Sequence, residues 1–167
     1  MAFSRILPIM RISPDRLLAL ILGLSSAACS ATSRMGDAEV QLKDGQPCFY
    51  LSAKDVERDP AARLQAIAVS DTSTQPMATV WWVMFDTDPA VPQSGASCYV
   101  YGNTPPAAKS APQVPLQNGK VYSVFLNVRP SDKSDPTRGY SVRFCLAGEG
   151  PGRRLVPMES WRSGTCR

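Results

Sequence analysis

Two groups of carboxylates and five cysteines are the residues of this sequence with chemistry to offer. Asp55, Glu57 and Asp59 crowd one short polar segment, and Asp86 and Asp88 stand two residues apart. On an extended strand that spacing puts both side chains on one face, where paired carboxylates could cleave a glycosidic bond. Asp88 is followed by Pro89, however, and Asp-Pro marks a turn. The pair therefore reads as a strand end. The 55–59 cluster reads as a solvated surface, with Asp55 capping a helical turn. The chain has no histidine. That removes the commonest general base and the commonest metal ligand, and with them a Ser-His-Asp triad, a Cys-His pair and a His-ligated zinc. No two cysteines form a Cys-x-x-Cys pair, so neither a metal site nor thioredoxin-like chemistry is expected. No catalytic residue, cofactor or small-molecule substrate is expected, and the protein should work by binding.

The first thirty residues read as an address. Arg5, Arg11 and Arg16 precede the apolar run Leu17-Leu18-Ala19-Leu20-Ile21-Leu22-Gly23-Leu24, and Ser25-Ser26-Ala27-Ala28-Cys29-Ser30 follows. A basic start, a short apolar run and small residues at the exit make a secretory signal peptide. The run is too short for a bilayer, which needs about 20 apolar residues. Ala27-Ala28-Cys29 resembles the end of a bacterial lipobox, in which the cysteine thiol takes a diacylglycerol and becomes the first residue. Ser26 departs from that pattern, which usually has Leu there, so ordinary cleavage nearby is the alternative. Ser30, rather than Asp, after the cysteine resembles the signal for the outer membrane. The expected divisions are a signal peptide over 1–28, a tether over 29–37 and one domain over 38–167, held by Cys29 on the periplasmic side.

Past Cys29 four cysteines remain, Cys48, Cys98, Cys145 and Cys166. An even number in an exported domain reads as a disulfide framework. Of the three possible connectivities we favour Cys48–Cys98 with Cys145–Cys166, the second tying the C-terminal tail to the last long strand. Residues 37–88 carry nine acids and four bases, and residues 89–167 carry ten bases and four acids. The two parts are expected to pair across a sheet. Part of the basic excess lies in the signal segment and no clustered basic face is evident, so nucleic acid is not an expected partner.

These residues must be positioned by strands. Short alternating runs separated by Pro/Gly-rich turns fall at 38–43, 47–51, 63–70, 78–86, 97–102, 112–116, 120–128 and 139–147. The one expected helix is a turn or two over 52–58, with Ser52 as its cap and Pro60 ending it. Segment 78–86 is apolar on both faces, so it is either a central strand covered twice or one of its faces binds something. Leu116-x-x-Gly119-x-x-Tyr122 resembles the corner before strand F of immunoglobulin-like and fibronectin type III domains. The expected fold is an all-β antiparallel sandwich of that kind, with Trp81 or Trp82 in its core.

Gly45-Gln46-Pro47-Cys48-Phe49, the apolar strand after Trp82, Ser97-Cys98-Tyr99, and Tyr122 with Val124 give a further resemblance, over most of 38–147. With the signal they resemble the type VI secretion immunity lipoproteins of the Gram-negative periplasm. The resemblance implies a small all-β lipoprotein that neutralises a toxin delivered by neighbouring cells, and it suggests the Cys48–Cys98 pairing. The pair Cys145 and Cys166 departs from it. The alternative is a structural or assembly accessory of the cell envelope. Loop 129–138 is long and charged, and loop 71–77 is expected at the same end of the sandwich. The expected contacts to a protein partner are Asp132, Lys133, Asp135 and Arg138, joined by an exposed Trp81 or Tyr99.

Replacing Cys29 tests the anchor. The Cys29→Ser chain should take up no labelled palmitate and should accumulate as an uncleaved or soluble species. A wild-type chain that takes up no label would be an ordinary secreted protein.

Overall fold

A computed structural model describes residues 33–162 and 165–166 of the chain. The signal segment and Cys29 lie outside the described residues. Within them the fold is all-β. Strand β1 spans Arg34–Lys43, β2 Gln46–Leu51, β3 Arg63–Asp71, β4 Ala78–Met84, β5 Tyr99–Val100 and β6 Lys109–Ser110. Strand β7 spans Val121–Arg129, β8 Thr137–Ala147, β9 Arg154–Leu155, β10 Trp161–Arg162 and β11 Thr165–Cys166. One six-residue helix, α1, spans Ala53–Arg58. None of the described helices is long and apolar enough to cross a membrane.

Nine strands form one curled sheet in the order β5-β2-β1-β8-β7-β3-β4-β6, with β9 added to the end of β8. β1 is shared along its length. Arg34–Asp37 run parallel to the start of β8, and Ala38–Lys43 pair antiparallel with β2. The sheet folds over at this strand, so the core lies between β1-β2-β5 on one side and β8-β7-β3-β4 on the other. Phe49 of β2 meets Phe144 of β8 with ring centroids 5.7 Å apart, and Trp81 of β4 meets Tyr101, just past β5, at 5.3 Å.

Alternation sets the faces. Tyr122, Val124, Leu126 and Val128 of β7 point inward, as do Tyr140, Phe144 and Leu146 of β8. In β3, Leu64 and Ile67 are both fully buried although three residues apart. A bulge between Leu64 and Ala66 against β7 makes this possible, because the extra residue resets the alternation. β1 and β2 are joined by Asp44-Gly45, both with positive φ (51° and 76°), the backbone that a two-residue hairpin needs and that Asp-Gly supplies. At the start of β7 the Tyr122 hydroxyl accepts the Gln117 N–H at 2.8 Å, which pins residues 116–122 as a corner. Cys48 is bonded to Cys98 and Cys145 to Cys166, with Cα–Cα distances of 5.3 and 6.4 Å. The second bond seats the tail on the outer face of β7 and β8, where Val121, Cys145, Val156 and Cys166 form a small second core with Trp161 packed against it.

Three sequence expectations need correction. The tether was placed over 29–37, but β1 begins at Arg34 and Arg34–Asp37 belong to the sheet. The strand expected over 97–102 is only Tyr99–Val100, after a helical turn at Gly95–Ser97. The strand expected over 112–116 is not regular. The pairing falls earlier, at Lys109–Ser110, after which only the Ala111 and Val114 N–H groups reach β4, donating at 3.1 Å to Trp82 O and Val80 O. Pro112 and Pro115 have no N–H to donate, so the ladder breaks there. The result is a short edge guarded by Lys and Pro, which resists pairing with another chain.

Tyr122→Phe keeps the packed ring and loses only the corner hydrogen bond. It should lower unfolding free energy by about 1 kcal/mol, measured by urea denaturation.

Candidate functional site

The acidic cluster read as solvated surface is largely inside the protein. Asp55 is fully buried and Asp59 nearly so, while Glu57 is exposed. Ser52 caps α1 as expected, its hydroxyl accepting the Asp55 N–H at 3.3 Å. The Asp55 carboxylate, however, turns inward. It accepts the Asp37 N–H at 2.7 Å and the Ser52 hydroxyl at 3.0 Å, and Arg58 pairs with it at 2.6 Å. Asp59 accepts the N–H and the hydroxyl of Ser131 at 2.8 and 2.6 Å. A buried carboxylate is tolerated only when it is paired or hydrogen-bonded, so both serve the fold. The spacing of Asp55 and Arg58, one helical turn apart, is the sequence signal for this pair.

Arg58 is the hub of this end of the sheet. Besides Asp55 it reaches Asp135 at 3.4 Å. It also donates to the Tyr140 hydroxyl at 2.8 Å and lies over that ring. Loop 129–138 is therefore held down rather than free. Asp132 accepts the Ser134 N–H and hydroxyl, closing its own turn. Asp135 accepts the Thr137 N–H at 2.7 Å. Arg138 donates to Asp135 O at 3.1 Å, and Lys133 is exposed. Of the four loop residues expected to bind, Asp135 is committed to the hub.

The two loops expected side by side are at opposite ends. β3 and β7 are antiparallel, with Asp71 opposite Tyr122 and Arg63 opposite Arg129. Loop 71–77 thus sits by the start of β7, where the Thr72 N–H and hydroxyl both donate to Val121 O. Loop 129–138 sits with α1 at the other end.

Nor is Trp81 exposed. It is 1% accessible, deep in the core between Tyr99 and Tyr101. Tyr99 is partly buried, packed on Trp81 and Phe85, and burial pushes its hydroxyl up to about 12. Asp86 and Asp88 are not a catalytic pair. Asp88 forms an ion pair with Arg129, while Asp86 is exposed. Asp71 pairs with Lys120 at 2.9 Å. Both pairs join an acid of the acidic part of the chain to a base of the basic part. Among the described residues no group of three or more Cys, Asp or Glu could hold a metal.

What the sequence reading missed is on the outer face of the sheet. Trp82 and Met84 of β4 stand opposite Ala68 and Ala66 of β3. Across β3, those alanines stand opposite Phe125 and Asn127 of β7. Trp82 and Phe125 join neither buried cluster, and Met84 keeps 51% of its surface in solvent. The two alanines thus lie between Trp82 and Met84 on one side and Phe125 and Asn127 on the other, and a cavity of about 230 Å³ opens at one end, lined by Ala66, Met84 and Asn127. The Phe125 ring lies over Gly139, where any Cβ would strike it. The signal was present in segment 78–86, apolar on both faces: the strand is not covered twice, since Trp82 joins neither buried cluster and Met84 is exposed. β4 lies next to the edge, and only its inner face is covered.

The hub makes stability depend on acid. Asp135 is held below the usual carboxylate range by the Thr137 N–H first and by Arg58 and Arg34 beyond it, against its burial. Burial alone would raise Asp71, but the Ser73 hydroxyl and Lys120 outweigh it and hold that carboxyl low. A depressed folded value stabilises above the unfolded one, about 3.9, and that stability is lost as pH falls through the folded value. Asp135→Asn should therefore be less stable than wild type at neutral pH. The gap should narrow below about pH 4, read from urea denaturation across pH.

No family model, curated protein or solved structure gives a significant match to this chain.

Proposed function

We propose that this chain is an exported, lipid-anchored, immunoglobulin-like sandwich that binds and neutralises a toxin protein arriving in the periplasm. The observation that carries the binding reading is the uncovered groove of Trp82, Met84 and Phe125 over Ala66 and Ala68. Met84 is half exposed and Trp82 and Phe125 partly so, and aromatic and Met side chains are the residues enriched at protein interfaces. The two disulfides support an oxidising compartment outside the cytosol. The basic, apolar and small-residue segments before Cys29 support export and anchoring. Anchoring would hold the binder at high local concentration where a toxin is first met.

The sandwich reading rests on strand order. β1 runs parallel to β8, which continues through β7, β3 and β4, and β1-β2-β5 faces them. That order is consistent with A′-G-F-C-C′ against A-B-E, with Tyr122 then at the start of F. Two features differ from antibody domains. The buried Trp81 stands on C′ rather than C, and Cys48–Cys98 ties B to the residue before E rather than bridging the layers.

The test is co-expression of the product of the gene directly upstream, targeted to the periplasm, with and without this protein. Growth only with the protein, and a stable purified complex, is the expected outcome. Trp82→Ala should weaken that complex by about 2 kcal/mol, roughly thirtyfold in Kd, with little change in thermal midpoint. Equal death in both cultures and no complex would replace immunity with the envelope-assembly reading.

A further inference from the structure

The point where β1 begins fixes which end of the molecule meets the membrane. Arg34 opens β1 beside loop 129–138, its N–H donating to Pro136 O at 3.3 Å. Resting on the reading of Cys29 as the lipidated residue, only five residues lead from the anchor to Arg34. At about 3.3–3.6 Å per residue the chain between them spans at most about 18 Å. Strand β8, with 11 residues, is about 36 Å long at about 3.3 Å per residue. The Asp44-Gly45 hairpin is therefore at the far end of a domain about twice as long as its tether can reach.

We propose that the end carrying α1 and loop 129–138 rests on the phosphate headgroups of the membrane that holds Cys29, through Arg34, Lys133 and Arg138. The charges at this end divide into used and unused. Asp55 and Asp135 are spent on Arg58, and Asp88 on Arg129. Lys54 makes only a long, fully solvated pair with Asp37. Among the described residues Lys133 makes no ion pair, and Arg34 acts on Asp135 only from beyond ion-pair distance; both are exposed, as is Arg138. The acids left in solvent are Asp37, held only in that loose pair with Lys54, and Glu57, Asp86 and Asp132. Asp132 is engaged by the Ser134 N–H and hydroxyl, and Glu57 is on α1. The loop that presents Lys133 and Arg138 is held rigid through Asp59–Ser131 and Asp135–Arg58. Met35, next to Arg34, is 56% exposed. Cations close to a phospholipid surface are attracted to it. A rigid loop loses little freedom on contact. The loop residues first expected to meet a protein would thus meet lipid, and the apolar groove on the flank of the sheet stays open to the periplasm.

Lysine footprinting on the full, processed lipoprotein tests this. The protein is reconstituted into preformed phosphatidylethanolamine/phosphatidylglycerol vesicles, recovered by flotation, and treated with a membrane-impermeant acylating reagent. The reference is the same protein in detergent. Lys133 and Lys54 should react several-fold more slowly on vesicles, while Lys43, beside the far hairpin, should keep its rate. In a Lys133→Glu, Arg138→Glu chain flotation should persist and the protection of Lys54 should be lost. A chain that fails to float overturns the anchor and the orientation together. A chain that floats with Lys133 and Lys43 equally reactive overturns the orientation alone.

Discussion

The buried Asp55 carboxylate holds the point where one strand changes partners. β1 pairs with β8 as far as Asp37 and with β2 from Ala38 onward. At that crossing the Asp37 N–H, at the edge of the fold, is bonded to a side chain rather than to a strand, as a backbone donor withdrawn from water needs a partner. Asp55 takes the Asp37 N–H, and the Ser52 N–H donates to Asp37 O at 3.1 Å. The helix α1 that carries Asp55 is too short to be stable alone. It exists because its cap, its carboxylate and its last-turn Arg58 all bond to other elements. Removing one partner of such a pair would leave a buried charge uncompensated, which is the expensive case. The curl of the sheet, and with it the core between its two halves, depends on this crossing.

From the same hub, order spreads into loop 129–138. Arg58 reaches Asp135, and Asp59 holds Ser131. A loop that looks like a flexible recognition element is thereby built into the wall of the domain. Its exposed cations are presented from a fixed platform beside the start of β1. On the function proposed above, recognition of a protein partner would fall to a different surface, the flank of β4-β3-β7, where Trp82 and Phe125 join neither buried cluster and Met84 is exposed. The tail could have covered all of that outer face. The Cys145–Cys166 bond instead seats it over β7 and β8 only, with Trp161 under Arg143. One part of that sheet face is thus covered by the tail and the other is left open.

Much of this was legible in the chain. The alternation in 120–128 and 139–147 gave the strands and their inward faces, because one-sided burial has a period of two that composition cannot hide. Ser52 and Pro60 bounded the one α-helix among the described residues, and Leu116-x-x-Gly119-x-x-Tyr122 marked a corner whose tyrosine does bond back to the backbone. The even cysteines after Cys29 implied two bonds. Those signals are local, and each is carried by residues close together in the chain. What the tertiary structure alone decided are the pairings over long separations. Asp55 looked solvated because its polar neighbours are. Only the strand that passes over it, 18 residues away, makes it buried. Trp81 and Trp82 are adjacent and alike in sequence, and the sheet sends one into the core and leaves the other on the surface. Loops 71–77 and 129–138 were parted to opposite ends by the antiparallel pairing of β3 with β7. That is a fact of topology, and no spacing within either loop contains it.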